Sequence, residues 1–338
     1  MEVYRSRIND KLDAHTHLFA DTDCLLRLMD RQGVQKSVLL AMGMDNPEVL
    51  RFNEAICLKH ARAHPDRLKV MITFDLSRID QKDYAAREAE HLERGKEAGA
   101  VGVKVSKELG LFAKDNKGRL IAVDDPRLDP IWAKAGELGL PVLIHTADPP
   151  AYWRPVDADN PWRVVLGEMT DWVYHGRENF PSFKVLIAQR NEVLRRHPGT
   201  TFIGAHLGSE AWDMDVSGVM DTLEKFPNFF VDASAVIDEI GRHPVATREL
   251  FLRFGDRILH GTDLIVASEW DEPGEVGRWA DQLDRAHSSI FQFYETADHG
   301  IPTTEPRLRS WTIGGIDLPD DVLKKIYREN ARRIIPGL

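Results

Sequence analysis

The residues most able to do chemistry stand near the start of the chain, in Asp13-Ala14-His15-Thr16-His17. Residues two apart on a strand share a face, so His15 and His17 present two imidazoles to one side. Two neutral imidazoles side by side suit one divalent cation, Zn²⁺ or a borderline neighbour. An isolated His-x-His is a weak signal, because such pairs also arise by accident on surfaces. Its position gives it weight, since it closes the apolar run KLDAHTH. His145 closes PVLIHT, His206 falls in FIGAHLG and Asp263 closes ILHGTD. A polar residue at the end of one strand is ordinarily a cap or turn former. Four histidines and an aspartate at the same end of several strands form a constellation.

The elements that must position these residues recur along the whole chain. Eight short apolar runs occupy 11–17, 36–41, 68–74, 100–106, 140–146, 200–208, 228–235 and 257–263. Stretches with helical periodicity separate most of them, such as PEVLRFNEAICLKHARAH and DPIWAKAGELG. Strand–helix alternation of this kind specifies a parallel sheet, and eight units specify an α/β fold closed as a (β/α)8 TIM barrel. One barrel domain over 1–338 is expected. The helix-to-strand turns repeat as well, in ARAHPDRLKV, LRRHPGTTFI and LRFGDRILHG. They make His64 and His197 helix-end residues at the far side of the barrel. His60, His91, His243 and His287 fall in helical or loop stretches. His260 is one residue out of register with Gly261 and Asp263, so it faces the helix layer.

Two long connections follow strands 5 and 8, from Ala147 to about Pro198 and from Leu264 to about Pro319. Both rise from the C-terminal face, where barrel active sites are built. The first is dense in aromatic residues, and among Tyr152, Trp153, Trp162 and Trp172 at least one is expected to wall a substrate pocket.

The bulk properties narrow the function classes. The chain has 338 residues, a formal charge of −10 and 43% hydrophobic residues. An acidic protein of this kind is not built for nucleic acid or an anionic membrane, both of which need basic patches. The expected partners are a small-molecule substrate and, where the aromatic segment serves as an interface, a second copy of the chain. Cys24 and Cys57 make neither a disulfide framework nor a cysteine zinc site and read as small core residues. Neither a membrane-spanning run nor an apolar leader is visible, so a cytoplasmic location is the default expectation.

The motifs DAHTH, GAVGVKV, PVLIHT, FIGAHLG, FFVDASA, RILHGTD and ENARRI run in order from residue 13 to 334. In this order and spacing the chain resembles the amidohydrolase superfamily, in particular the amidohydrolase-2 branch that includes aminocarboxymuconate-semialdehyde decarboxylase. The resemblance implies that His15, His17, His145 and Asp263 are metal ligands and that His206 is the acid/base residue. The set is chemically coherent, for three imidazoles and a carboxylate leave a position open for water or substrate. Zinc can bring a bound water's pKa down to about 7. A free histidine beside it moves protons near neutral pH, and Asp263 can accept the water proton. One divalent ion per chain is expected, Zn²⁺ first, with Mn²⁺ or another divalent ion as alternatives.

Lys104, within strand 4, admits two readings. It is a structural or substrate-contacting lysine beside one metal, favoured here, or a carboxylated lysine bridging two. Asp232 and Ser234 share a face of strand 7 and either orient a ligand histidine or contact substrate, or bond within the barrel. Asn330 and Arg332 belong to packing of the last helix. The leading reaction is hydrolysis of an ester, lactone or amide by metal-activated water. The alternative is non-oxidative decarboxylation of an aromatic or unsaturated carboxylic acid, for which Lys104, Arg154, Arg163 or Arg177 would supply a cation.

Overall fold

Each of the eight apolar runs forms a strand in the computed structural model, which describes residues 3–19, 22–212, 215–266, 281–305, 307–308 and 311–338 and the backbone of 275–280. The strands are β1 (Lys11–Leu18), β2 (Val34–Leu40), β3 (Leu68–Ile72), β4 (Gly102–Val105), β5 (Val142–Ile144), β6 (Phe202–Gly204), β7 (Phe229–Asp232) and β8 (Ile258–Leu259). A further short strand, β9 (Leu264–Val266), continues β8 after a break at Gly261-Thr262-Asp263. Among the described residues the sheet order is β8-β7-β6-β5-β4-β3-β2-β1-β9, with every pairing parallel. The ring closes where β9 pairs with β1 and where Ala14 N donates to His260 O at 3.0 Å. The result is a TIM-barrel-like α/β fold.

Helices α1 (Asp23–Gln32), α2 (Pro47–Ala63), α3 (Tyr84–Glu97), α4 (Asp129–Glu137), α5 (Phe183–Arg196), α6 (Ser217–Lys225), α7 (Pro244–Phe254) and α8 (Glu275–Glu295) cover the outside. Their starts and stops follow local chemistry. Asn46 caps α2 by accepting from Glu48 N and Val49 N, with Pro47 in the first turn. His64 and His197 end α2 and α5 as the turn pattern requires. Cys24 and Cys57 are buried and unbridged. Among the described residues no helix is long and apolar enough to cross a membrane.

The connection after β8 is more ordered than a loop. It holds β9 and the 21-residue helix α8, while 267–274 lie outside the described residues. Leu283, Ile290, Phe291 and Tyr294 recur at helical intervals, a pattern interrupted by enough polar residues to read as loop in sequence. The connection after β5 carries only short helical turns before α5.

One inner cluster fills the lower barrel: Leu12, Val38, Leu40, Met71, Leu143, Ile203 and Leu259 are all almost wholly buried. The last helical stretch plugs its base through Ala331 and Ile335. Asn330 fastens it, donating from Nδ2 to Gly255 O and Ile258 O, both at 2.7 Å. Asn330→Ala strands two buried carbonyls and should lower the unfolding free energy by about 1–3 kcal/mol. Urea denaturation measures this, and an unchanged midpoint would show that the plug is held by apolar contact alone.

Candidate metal centre

A bulge in β1 sets the direction of both histidines. Asp13 pairs with Ser37 and Thr16 with Leu39, so β1 spends three residues where β2 spends two. Leu12 and Ala14 therefore face the inner cluster below the bulge, and Leu18 faces the helix layer above it. His15 and His17 thus both turn inward. His260 turns outward, edge-on to Tyr327 with ring centroids 5.3 Å apart, as its register required.

The sequence-derived residues converge at the C-terminal rim. Asp263 Oδ1 lies 3.2 Å from His15 Nε2 and 3.3 Å from His17 Nε2. His15, His206 and Asp263 each bring a donor atom within 4.8 Å of the others. The His145 ring stands 4.5 Å from that of His206, and the His206 ring 5.2 Å from that of His15. His206 is thus as close to the centre as the residues expected to be ligands.

Three of the imidazoles are fixed through the nitrogen that faces away. His15 Nδ1 meets Asp232 Oδ2 at 2.9 Å, His17 Nδ1 meets Leu40 O at 3.2 Å, and His206 Nδ1 meets Ser234 O at 2.9 Å. Anchoring Nδ1 in this way leaves Nε2 free to bind a cation, the arrangement expected around metal-ligating histidines. Of the readings open for Asp232 and Ser234, the geometry favours the orienting one. Asp232 Oδ1 accepts from His206 N, and Ser234 Oγ lies 3.0 Å from His15 Nδ1 and 3.1 Å from His206 Nδ1. Nitrogen and carboxylate donors converging with their lone pairs inward fit a divalent cation.

The charges agree. Burial pushes the Asp263 carboxyl up, but His15, His17 and His206 around it outweigh that and hold it well below the usual range. Burial likewise opposes charge on Asp232, and His15 reverses it. Burial pushes His17 and His206 down, and His145 further, helped by His206 and Lys104. Neutral imidazoles and ionised carboxylates are the forms that bind metal.

The backbone at the rim is strained. Ala147, His206, Leu207, Ser209, Ala235 and Asp263 are non-glycine residues with positive φ, all just past β5, β6, β7 or β8. Such conformations are unfavourable and persist where surrounding contacts impose them, commonly at functional sites. Gly261 answers a closer constraint, because a Cβ there would sit 2.8 Å from His15 Cβ.

Two features were not singled out in the sequence. Asp13 is buried in the seam between β1 and the end of β8. Its Oδ1 accepts from His15 N at 3.0 Å and Thr262 N at 3.1 Å, and its Oδ2 from Thr262 Oγ1 at 2.6 Å and Thr16 Oγ1 at 3.1 Å. Only its place in DAHTH hinted at this. The second is Lys107, whose ammonium bonds Asp148 at 2.8 Å and lies 3.8 Å above the Trp172 ring. Tyr174 completes that set through Asp148. Above it the aromatic segment packs on itself, with Tyr152 against Trp162 and Trp172, and Trp153 against Tyr174. Arg154, Arg163 and Arg177 are exposed, whereas Lys104 is buried with Nζ 3.4 Å from His15 Nε2.

A rim of histidines and a carboxylate on a parallel barrel carries a donor set suited to a divalent cation. A family model described as amidohydrolase, of the amidohydrolase-2 type, matches residues 12–337, and the chain belongs to that family. No curated protein matches. Among solved structures, the chain is similar to 2,6-dihydroxybenzoate decarboxylase from Rhizobium, at 18% identity and TM-score 0.56 over 97% of this chain and 98% of that one. It is also similar to 5-carboxyvanillate decarboxylase from Sphingomonas paucimobilis, at 13% identity and TM-score 0.56 over 97% and 99%. A third is 5-carboxyvanillate decarboxylase from Novosphingobium aromaticivorans complexed with manganese and 4-hydroxy-3-methoxy-5-nitrobenzoic acid, at 13% identity and TM-score 0.54 over 98% of both chains. At these identities the likeness is one of fold.

Asp13→Ala leaves several buried donors without an acceptor and should destabilise the chain by about 2–4 kcal/mol. Asp13→Asn keeps one carbonyl oxygen, and the hydroxyls of Thr16 and Thr262 can turn to accept, so its loss should be less than half as large. Chemical denaturation of the two variants checks the order, and equal stabilities would refute the clamp.

Proposed function

We propose that the protein is a divalent-metal-dependent decarboxylase of a hydroxylated aromatic carboxylic acid. The observation that carries this reading is Lys104. Its side chain is 1% exposed, and among the described residues no carboxylate is in ion-pair contact with it. A buried ammonium without an anion is costly. Burial accordingly lowers its pKa to about 8 despite the attraction of Asp263 and Asp232. A substrate carboxylate at the centre would be its missing partner. The aromatic segment above suits a planar substrate, and the decarboxylase folds of the structural neighbours, one with manganese bound, support the same choice. Hydrolysis would use the same histidines and aspartate but gives Lys104 no anion.

In this reading His15, His17, His145 and Asp263 hold one Mn²⁺ or Zn²⁺, and the chain works as one barrel. The cation, when bound, supplies a Lewis acid that binds the substrate oxygens and draws electron density from the ring. Lys104 pairs with the carboxylate and sets its orientation. Loss of CO₂ breaks the bond between ring and carboxyl carbon and leaves the electron pair on the ring carbon, which must take a proton. Asp263 and His206 are the groups at the centre able to carry that proton, and Ser234 O holds His206 so that Nε2 faces the site.

The test is CO₂ release from 2,6-dihydroxybenzoate and 5-carboxyvanillate by Mn²⁺-loaded protein, with and without a chelator. Release abolished by the chelator supports the reading, while no release together with hydrolysis of lactones or esters refutes it. Lys104→Gln should raise KM for the acid by about tenfold or more, the worth of a charge-assisted bond, and leave metal content unchanged. Loss of a second equivalent of metal would instead identify Lys104 as a bridging ligand. His206→Asn should keep the metal and slow turnover by about 10² to 10⁴.

A further inference from the structure

The chain leaves β6 in a left-handed turn. His206, Leu207, Gly208 and Ser209 all have φ between +53° and +67°, four residues in succession of which three are not glycine. Residues of L chirality visit this region singly, because Cβ crowds the following carbonyl, and do not run on in it unaided. Ser209 N donates to Ala205 O at 3.1 Å and to His206 O at 3.0 Å, a pattern that a right-handed turn would make as well. The hand must therefore be imposed from outside. On one side His206 N donates to Asp232 Oδ1 and its Nδ1 meets Ser234 O. On the other stands Arg190 of α5, 1% exposed. Its guanidinium donates to Gly208 O at 2.7 Å, to Glu210 Oε2 at 2.5 Å and to Asn191 Oδ1 at 3.0 Å, and lies 4.7 Å above the Phe229 ring. Glu210 also accepts from Thr222 Oγ1 of α6 at 3.2 Å. The fit is close, since a Cβ on Gly208 would meet the guanidinium at 2.9 Å. An arginine is almost never fully buried without specific partners, and two of the partners here are the turn and the residue by which the chain leaves it.

We propose that Arg190 is a positioning residue, clamping the left-handed turn from the helix layer and thereby holding His206 where it can deliver a proton at the centre. The planar fork of the guanidinium suits it to this, because it grips Gly208 O and the Glu210 carboxylate at once. Arg190 acts only through the backbone of the turn. The inference rests on the decarboxylase reading for what His206 does, and on the geometry of the turn for how His206 is held. With the anchor at Gly208 gone, the turn relaxes toward ordinary backbone and the His206 ring loses its fixed direction. His15, His17, His145 and Asp263 come from other strands and keep their places.

The experiment is hydrogen–deuterium exchange of Mn²⁺-loaded protein, read over 203–212, with kcat and KM for CO₂ release measured beside it. Removing Arg190 alone would leave the Glu210 carboxylate buried and unpaired, so the variant is Arg190→Met combined with Glu210→Gln. Glu210→Gln alone is the control, because it keeps the bond from Arg190 to Gly208 O. Exchange over 203–212 should be about ten- to a hundredfold faster in the double variant than in the control, the worth of a charge-assisted bond, and unchanged in the strands away from β6 and β7. The kcat should fall on the order of a hundredfold, the usual cost of misplacing a reacting group by about 1 Å, with KM and Mn²⁺ content as in the control. Exchange that is unchanged there, or that rises evenly across the barrel, overturns the clamp. Faster local exchange with an unchanged kcat overturns the positioning role. A wild type that releases no CO₂ overturns the decarboxylase reading and the catalytic consequence with it, while the exchange still decides for or against the clamp.

Discussion

The Asp13 carboxylate is the constraint on which the rest of the site depends. A closed barrel needs its last strand to meet its first, and here the meeting strand is broken at Gly261-Thr262-Asp263. Asp13 bridges the break by gripping Thr262 through backbone and hydroxyl while holding His15 N. Asp263 N then donates to His15 O at 2.8 Å. One buried charge, saturated by four donors, thus fixes both the bulge that aims His15 and His17 and the left-handed turn that presents Asp263. Burial pushes the Asp13 carboxyl up, and the bonds to Thr262 and His15 pull against that. Closure of the fold and the shape of the candidate centre depend on the same hydrogen bonds.

Outward from the seam the design repeats at smaller scale. Asp232 and Ser234, at the end of β7, hold His15 and His206 from behind. Positive-φ residues follow four strands at the mouth, and two of them, His206 and Asp263, belong to the candidate centre. The strain is sustained by a barrel wall whose inner and outer apolar clusters are almost fully buried. This links burial to chemistry, because the packed wall keeps donor atoms of His15, His206 and Asp263 within 4.8 Å of one another.

Much of this was legible in the sequence because strand ends announce themselves. The apolar runs gave the barrel, and the polar residues closing them gave His15, His17, His145, His206 and Asp263. Parity also placed His260 in the helix layer. Parity failed where the backbone departs from period two: counted from Leu12 and Ala14, His15 and His17 belong to the outer face, and only the bulge returns them to the inside. The break in the eighth strand and the strained turns left no residue signature, since Ala147, Ala235 and Asp263 are not types that favour positive φ strongly enough to be read. The helix α8 was obscured by polar residues within it. Lys104 was legible as a buried cation, but its lack of an anionic partner required coordinates.

The account stands on one divalent ion at the rim, and anomalous diffraction tests it most directly. Crystals grown with Mn²⁺ should show a single strong peak per chain, in contact with Nε2 of His15 and His17, with His145 and with the Asp263 carboxylate, and with Lys104 unmodified. No peak at the rim, a peak that excludes Asp263, or two peaks bridged by Lys104 would contradict it.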